Sequence, residues 1–170
     1  QGTRLGSRDP KGMFPVGPIS GKPLFQWHIE KIRHFADVAG RAVPVVIMVS
    51  DATDEATRTF FAANDQFGLG EGDLHFVRQA SLPPLDAQGR LLLASQSSIS
   101  MAPNGHGGLY PALVESGVLD TLEQGGTRIL SYIQIDNLLV RPVDPTFIGF
   151  HSRAESLISS KSVMKRHPAE

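Results

Sequence analysis

An apolar, β-branched run over Val43–Val49 constrains the fold of this chain more than any other stretch. A run without polar alternation is typical of a strand buried on both faces, as in parallel sheets. Before it, apolar residues recur with helical spacing from Lys22 to about Gly40, a glycine suited to a C-cap. After it, a second helix is predicted from about Asp54 to Asp65, with Thr53 as N-cap. A buried strand between two amphipathic helices predicts the α/β class.

The remaining pattern continues this alternation. It predicts further strands at Leu74–Arg78, Ile129–Ile135 and Leu157–Met164, and further helices at Leu109–Ser116, Val118–Gln124 and Pro145–Glu155, the last capped by Asp144. A small hairpin insertion is expected at about 80–100, around a Gly-bearing turn. We expect one domain over 1–170 with a mostly parallel sheet, and ligands at the carboxyl ends of its strands.

Composition excludes several classes of protein. The 170 residues carry a net charge of -1, so no overall field would hold a nucleic acid or an anionic membrane, and we expect neither as a partner. No apolar run approaches the roughly 18 residues of a membrane span. There is no cysteine, which excludes disulfides and thiolate metal sites and fits a cytoplasmic location. Any phosphate must therefore be bound by local charge.

The opening stretch supplies such charge. Gly2, Thr3 and Arg4, followed by Lys11, combine accessible backbone amides, a guanidinium and an ammonium. Glycines let the backbone approach a phosphate closely, and the two cations offer a donor fork and a compact charge. The stretch has neither Walker spacing nor the dinucleotide fingerprint. The alternative is a solvated turn with two surface cations.

Two later loops are also candidates. Met101–Tyr110 is Gly-rich around His106 and directly precedes a predicted helix, so its amides could bind a base, sugar or anion. Asp136 follows an apolar run and could hold Mg²⁺ beside a triphosphate. A structural turn is the alternative in both cases. The other histidines have no metal-ligand spacing and are expected to be structural: His28, His34, His75, His151 and His167.

Together, in this order, several stretches resemble the UDP-N-acetylglucosamine and UDP-glucose pyrophosphorylase families: Gln1–Gly12, Phe76–Pro83, Met101–Tyr110, Ile135–Asn137 and Asp144–Gly149. The resemblance implies a Rossmann-like, GT-A type nucleotidyltransferase, a three-layer sandwich with a mostly parallel central sheet, incomplete at both ends. In the family the opening motif continues a strand and carries two more glycines before the position of Gln1. We therefore expect a truncated single domain, the nucleotide-binding part of a longer enzyme.

The resemblance also implies roles for individual residues. Gly2, Thr3 and Arg4 would wrap the triphosphate, and Lys11 would neutralise the phosphate undergoing substitution, with Arg4 and Lys11 as the catalytic residues. The remaining implied roles are uracil binding by Gln79 and Gly105, a position near the sugar phosphate for His106, substrate binding by Asn137, and Mg²⁺ binding by Asp136.

The implied activity is uridylyl transfer from UTP to a sugar 1-phosphate, giving a UDP-sugar and pyrophosphate. The sugar 1-phosphate is already ionised near neutral pH, so no strong general base is required. N-acetylglucosamine is the leading sugar. Glucose is the alternative, because position 106 is Asn in the eukaryotic N-acetylglucosamine enzymes and His in the UDP-glucose enzymes. The main alternative to an enzyme is a nucleotide-binding module without catalytic activity. An oxidoreductase is disfavoured because the G-x-G-x-x-G motif is missing. The sequence leaves the oligomeric state open.

Overall fold

A computed structural model describes residues 9–165 and 167. Its helices are α1 (Leu24–Ala39), α2 (Asp54–Ala63), α3 (Leu109–Glu115), α4 (Val118–Gln124) and α5 (Pro145–Arg153). Its strands are β1 (Val45–Val49), β2 (Leu74–Arg78), β3 (Ser81–Leu82), β4 (Leu93–Ser95), β5 (Ser98–Ile99) and β6 (Ala102–Pro103). Short 3-10 turns lie at Lys11–Met13, Asp65–Gly68 and His106–Gly108.

The centre of the fold is the parallel pair β1 and β2. Their register runs from Val45 opposite Leu74 to Val49 opposite Arg78. The predictions of these two strands and of their parallel pairing are confirmed. The backbone amide of Gln79 donates a hydrogen bond to the Val49 carbonyl over 2.7 Å. Gln79 is therefore held at the carboxyl edge of the pair, where α/β proteins bind ligands.

Helices cover both faces of this pair. Phe25 and Ile29 of α1 and Phe61 of α2 form one buried cluster, against which Val45, Ile47, Leu74 and Phe76 pack. On the other face Val77 packs with Ala112 and Leu113 of α3, together with Val46 and Met48. Alternate strand residues thus enter opposite clusters, as the period of a strand requires. The helix on each side explains why the Val43–Val49 run lacks polar alternation.

The predicted helices are confirmed, with small differences at their ends. Helix α1 ends at Gly40, which takes the left-handed conformation at φ 63°. At α5 the Asp144 carboxylate accepts from the Thr146 and Phe147 amides over 3.1 and 3.4 Å. Thr53 occupies the N-cap of α2, but its hydroxyl makes no capping bond and accepts from the Ser50 amide over 2.9 Å instead.

Two strand predictions are wrong. Neither Ile129–Ile135 nor Leu157–Met164 forms a strand. A strand exists only where its backbone groups bond to a neighbour, and no described residue pairs with either segment in a ladder. Their apolar side chains are largely exposed, with Leu130 at 48% and Leu157 at 97%. The apolar composition of these segments indicated burial, which the described part of the chain does not supply.

The remaining strands form antiparallel pairs between residues 81 and 103. β3 pairs with β6 and β4 pairs with β5. The turn between β3 and β4 is held by Asp86, whose carboxylate accepts hydrogen bonds from the Gln88 and Arg90 backbone amides, both at 2.9 Å. Within the described residues the parallel sheet comprises β1 and β2, so the mostly parallel central sheet is confirmed only for this pair. No helix in 9–165 is both long and apolar enough to cross a bilayer.

Candidate functional site

The Gly-rich loop is joined to the carboxyl end of β2. The Gln79 side-chain amide donates to the Gly105 carbonyl over 2.6 Å, and the Asn104 amide donates to the Ala80 carbonyl over 3.0 Å. Gly105 has φ 80°, in the left-handed region that favours glycine. The two residues predicted to bind uracil are thus in direct contact, although they are 26 positions apart in the sequence.

A second contact joins Lys11 to Asp136. The Lys11 ammonium lies 3.0 Å from the Asp136 carboxylate, and the side chains are 28% and 49% exposed. An ion pair this accessible contributes little to stability, typically about 0–1 kcal/mol. Because both side chains are accessible, they can contact a bound ligand. The structure brings together a predicted catalytic residue and the predicted metal ligand across 125 positions of sequence.

The Lys11 turn is positioned by close contact with helix α1. Gly12 is buried in this turn, and a Cβ built on it would come within 2.5 Å of three ring carbons of Phe25. Only a residue without a side chain lets the turn approach the ring this closely. The backbone next to Lys11 therefore rests on the main hydrophobic cluster.

Helix α1 also holds the segment that carries Asp136. His28, which is 3% exposed, hydrogen-bonds through Nε2 to the Ile135 carbonyl over 2.9 Å. Lys31 donates to the carbonyls of Leu138 and Val140, the latter over 3.2 Å. Burial lowers the pKa of His28, aided by the Lys31 charge and opposed by the bond to Ile135. The neutral ring must then carry its proton on Nε2 to donate to the carbonyl.

Sequence reasoning missed the part that α1 plays in the site. His28 was expected to be structural, and Lys31 had no assigned role. One signal was available, because His28 lies within the apolar stripe of α1, and a polar side chain there needs a buried hydrogen-bond partner. The identity of that partner, 107 positions away, could not be obtained from spacing.

Tyr132 is a further site residue that the sequence did not reveal. Its hydroxyl lies 2.7 Å from Nδ1 of His106, and the two rings meet edge to face with centroids 6.1 Å apart. Burial raises the pKa of Tyr132, so the phenol stays protonated near neutral pH. Tyr132 belongs to the segment Ile129–Ile135, which was wrongly predicted as a strand. The segment still brings a side chain to the candidate site although it is irregular.

The segment from Tyr132 to Asp136 links the two contacts. One end touches His106 beside the Gln79–Gly105 contact, and the other end pairs with Lys11. Four residues of extended chain span at most about 14 Å, so the Cα atoms of Tyr132 and Asp136 lie within that distance of each other. Asn137 lies in the turn that follows, its amide donating to the Gln134 carbonyl over 3.1 Å. Gly2, Thr3 and Arg4 lie outside the described residues.

The side chains around Asp136 suit some metal ions better than others. Residues 9–165 contain no group of three or more His, Cys, Asp or Glu side chains able to hold a metal. Residues 9–165 therefore hold no zinc site made of protein ligands alone. Mg²⁺ has different needs, since one or two carboxylates plus substrate phosphates and water suffice. The exposed Asp136 carboxylate fits that requirement.

Comparison with known proteins gives a consistent result. A family model described as UTP–glucose-1-phosphate uridylyltransferase matches residues 1–165. The chain is 39% identical to UDP-N-acetylglucosamine diphosphorylase 1 of Arabidopsis thaliana and 35% identical to UDP-N-acetylglucosamine pyrophosphorylase of Saccharomyces cerevisiae. Each alignment covers 100% of this chain and 36% of the relative. The chain therefore spans little more than a third of the length of these curated relatives.

Solved structures agree with the sequence relatives. The uridine diphosphate N-acetylglucosamine pyrophosphorylase of Trypanosoma brucei, crystallised with an inhibitor, superposes with a TM-score of 0.81 at 34% identity. The superposition covers 91% of this chain and 34% of that one. The fold of the described chain is thus that of the corresponding third of a UDP-sugar pyrophosphorylase.

Proposed function

Because the chain belongs to the UTP–glucose-1-phosphate uridylyltransferase family, we propose that it forms the UTP-binding part of an enzyme that makes a UDP-sugar and pyrophosphate from UTP and a sugar 1-phosphate. The observation that carries the proposal is the accessible Lys11–Asp136 pair at 3.0 Å. This pair supports the proposal because it sets a cation beside a carboxylate of the kind that binds metals, four positions along the chain from Tyr132, which contacts His106.

The sugar proposed is N-acetylglucosamine 1-phosphate. Supporting this, the Arabidopsis thaliana relative at 39% identity and the Saccharomyces cerevisiae relative at 35% are named as UDP-N-acetylglucosamine enzymes. Glucose 1-phosphate is the second candidate, favoured by the description of the matching family model. The resemblance also favours glucose at one position, because His106 stands where the UDP-glucose enzymes have His and the eukaryotic N-acetylglucosamine enzymes have Asn.

Uracil would be bound by complementary hydrogen bonds. The Gln79 amide group already donates to the Gly105 carbonyl, which fixes the orientation of the side chain and leaves its Oε1 as an acceptor. The imide N–H of uracil can donate to that oxygen, and the Gly105 backbone amide can donate to a uracil carbonyl. This arrangement would select a base that has a donor between two acceptors.

Catalysis would consist of positioning and charge neutralisation. The sugar phosphate attacks the α-phosphorus of UTP in line, and pyrophosphate leaves from the opposite side. Lys11 would neutralise the phosphate undergoing substitution, either by breaking its ion pair with Asp136 or by keeping it while also contacting the phosphate. Arg4 would bind the departing phosphates. Asp136 would hold Mg²⁺, with Asn137 beside it contacting the substrate. When bound, the ion supplies additional neutralisation of phosphate charge.

We further propose that residues 1–170 form a single nucleotide-binding domain of the GT-A type, a three-layer sandwich around a parallel central sheet. The helices packed on both faces of β1 and β2 support it. The cysteine-free sequence supports a cytoplasmic location.

Pyrophosphate exchange tests the activity. Labelled pyrophosphate is supplied with UDP-N-acetylglucosamine or UDP-glucose, and label entering UTP is measured. In the complete enzyme we expect exchange to fall by about two to three orders of magnitude in Lys11→Ala. Lys22→Ala is the matched control, because Lys22 also pairs with a carboxylate, that of Glu30 at 2.7 Å, but outside the site.

The outcomes separate the candidates. Unchanged exchange in Lys11→Ala would remove Lys11 from the mechanism. The isolated chain is expected to show weak or no turnover, so UTP binding without any exchange by the complete enzyme is the result that would favour the non-catalytic nucleotide-binding module. A faster reaction with UDP-glucose than with UDP-N-acetylglucosamine would replace the proposed sugar by its alternative.

A further inference from the structure

His106 sits in a part of the loop where its own surroundings do little to orient its ring. Glycines flank it on both sides, and a Cβ placed on Gly105 or Gly107 would meet nothing within 4 Å. The backbone is held through the Gln79–Gly105 bond, but the imidazole still has two free torsions. The contact that fixes those torsions is the 2.7 Å bond from Nδ1 to the Tyr132 hydroxyl.

A phenol is well suited to this position because its hydroxyl both donates and accepts. When His106 is neutral and the Tyr132 hydroxyl donates to Nδ1, the ring proton lies on Nε2. When His106 is charged, the same oxygen can accept from Nδ1–H, and Nε2 again carries a proton. In both of these arrangements Nε2–H is a donor, as an anionic phosphate oxygen requires.

Resting on the proposed function, we propose that Tyr132 is a positioning residue that presents His106 Nε2–H to the phosphate of the sugar nucleotide. Its location supports this, because Asp136 lies four positions further along the same segment and pairs with Lys11. One segment thus contacts both His106, through Tyr132, and Lys11, through Asp136. Tyr132 itself need not touch the substrate.

The first test is spectroscopic and does not depend on any ligand. Imidazole ¹⁵N shifts of His106 are recorded in the whole chain, in Tyr132→Phe and in Tyr110→Phe. Tyr110 is the only other tyrosine and is 64% exposed, so it is the matched control. We expect the neutral ring to be mainly the Nε2–H tautomer in the chain and in Tyr110→Phe, and a mixture of tautomers in Tyr132→Phe. Identical His106 shifts in all three proteins would overturn the proposal.

The second test measures affinity. Loss of one hydrogen bond that orients a donor should weaken UDP-N-acetylglucosamine binding by Tyr132→Phe about three- to tenfold, with UTP affinity little changed. Equal weakening of both ligands would show a general structural effect and would also overturn the proposal. If the unmodified chain bound neither ligand, the proposed function would fail, while the ¹⁵N shifts would still decide whether Tyr132 positions His106.

Discussion

Replacing Gly12 by alanine should separate the Lys11 turn from helix α1. The new Cβ would lie within 2.5 Å of three Phe25 ring carbons, whereas carbon atoms in contact normally keep about 3.5–4.0 Å. Phe25 is only 8% exposed, and its ring already meets that of Phe61 edge to face at 4.9 Å. The ring therefore has little room to withdraw, and the turn carrying Lys11 must move.

The size of the effect follows from this overlap. Forcing an extra carbon into a filled core costs about 1–3 kcal/mol, a sizeable part of the roughly 5–15 kcal/mol that stabilises a domain. With a urea dependence of about 2 kcal/mol per molar, the unfolding midpoint of Gly12→Ala should fall by about 0.5–1.5 M. Substitution of Phe25 by leucine in the same chain should reduce the cost, because a shorter side chain leaves space for the methyl group.

Trp27 makes the measurement direct, since it is the only tryptophan and lies in α1 two positions from Phe25. Urea unfolding would be followed by its fluorescence. Gly149→Ala is the control: a Cβ there meets nothing within 4 Å, and alanine in a helix is expected to stabilise by up to about 1 kcal/mol. If Gly12→Ala and Gly149→Ala shifted the midpoint equally, the close approach of the turn to Phe25 would be refuted.

Two further predictions concern the scaffold of the site. Phe61 is 1% exposed, so Phe61→Ala should lower the free energy of unfolding by about 3–5 kcal/mol, whereas Phe150→Ala, at 66% exposed, should change it little; similar losses in both would contradict the assigned core. The Asp54 carboxyl has a pKa held below its usual 3.8, first by the hydrogen bond from Arg78 and also by Arg58. A lowered folded-state pKa gives stability that is present above the unfolded value and lost as pH falls through the folded value. Acidification from pH 7 to 3 should therefore destabilise the unmodified chain more than Asp54→Asn, and parallel urea midpoints in the two proteins would exclude this contribution.

Local structure was predictable where a segment packs against its sequence neighbours. The helical spacing of apolar residues in α1 and the unbroken apolar run of β1 are each visible within the segment itself, and both elements formed as expected. The strand predicted at Ile129–Ile135 shows the limit of this reasoning. Apolar composition reports a tendency to be buried, but a ladder requires a partner strand, and the partner is not encoded in the segment itself.

The site was predictable in part. The resemblance implied roles for Lys11, Gln79, Gly105 and Asp136, but spacing alone could not show that these four residues meet as two pairs. Those pairs join residues 26 and 125 positions apart, and they depend on the packing of α1 and β2. Tyr132 carried no signal of its own, because its role appears only when His106 is placed beside it.

The central claim is that this surface binds a uridine nucleotide. Calorimetric titration of the chain with UTP and with CTP tests it most directly, because the two nucleotides share their phosphates and differ in the hydrogen-bonding edge of the base. Cytosine presents an acceptor where uracil presents the donor that Oε1 of Gln79 would bind, and an unmatched polar group costs about 1–3 kcal/mol. The account predicts that UTP binds about ten- to a hundredfold more tightly than CTP. Equal affinities, or no binding of UTP, would contradict it.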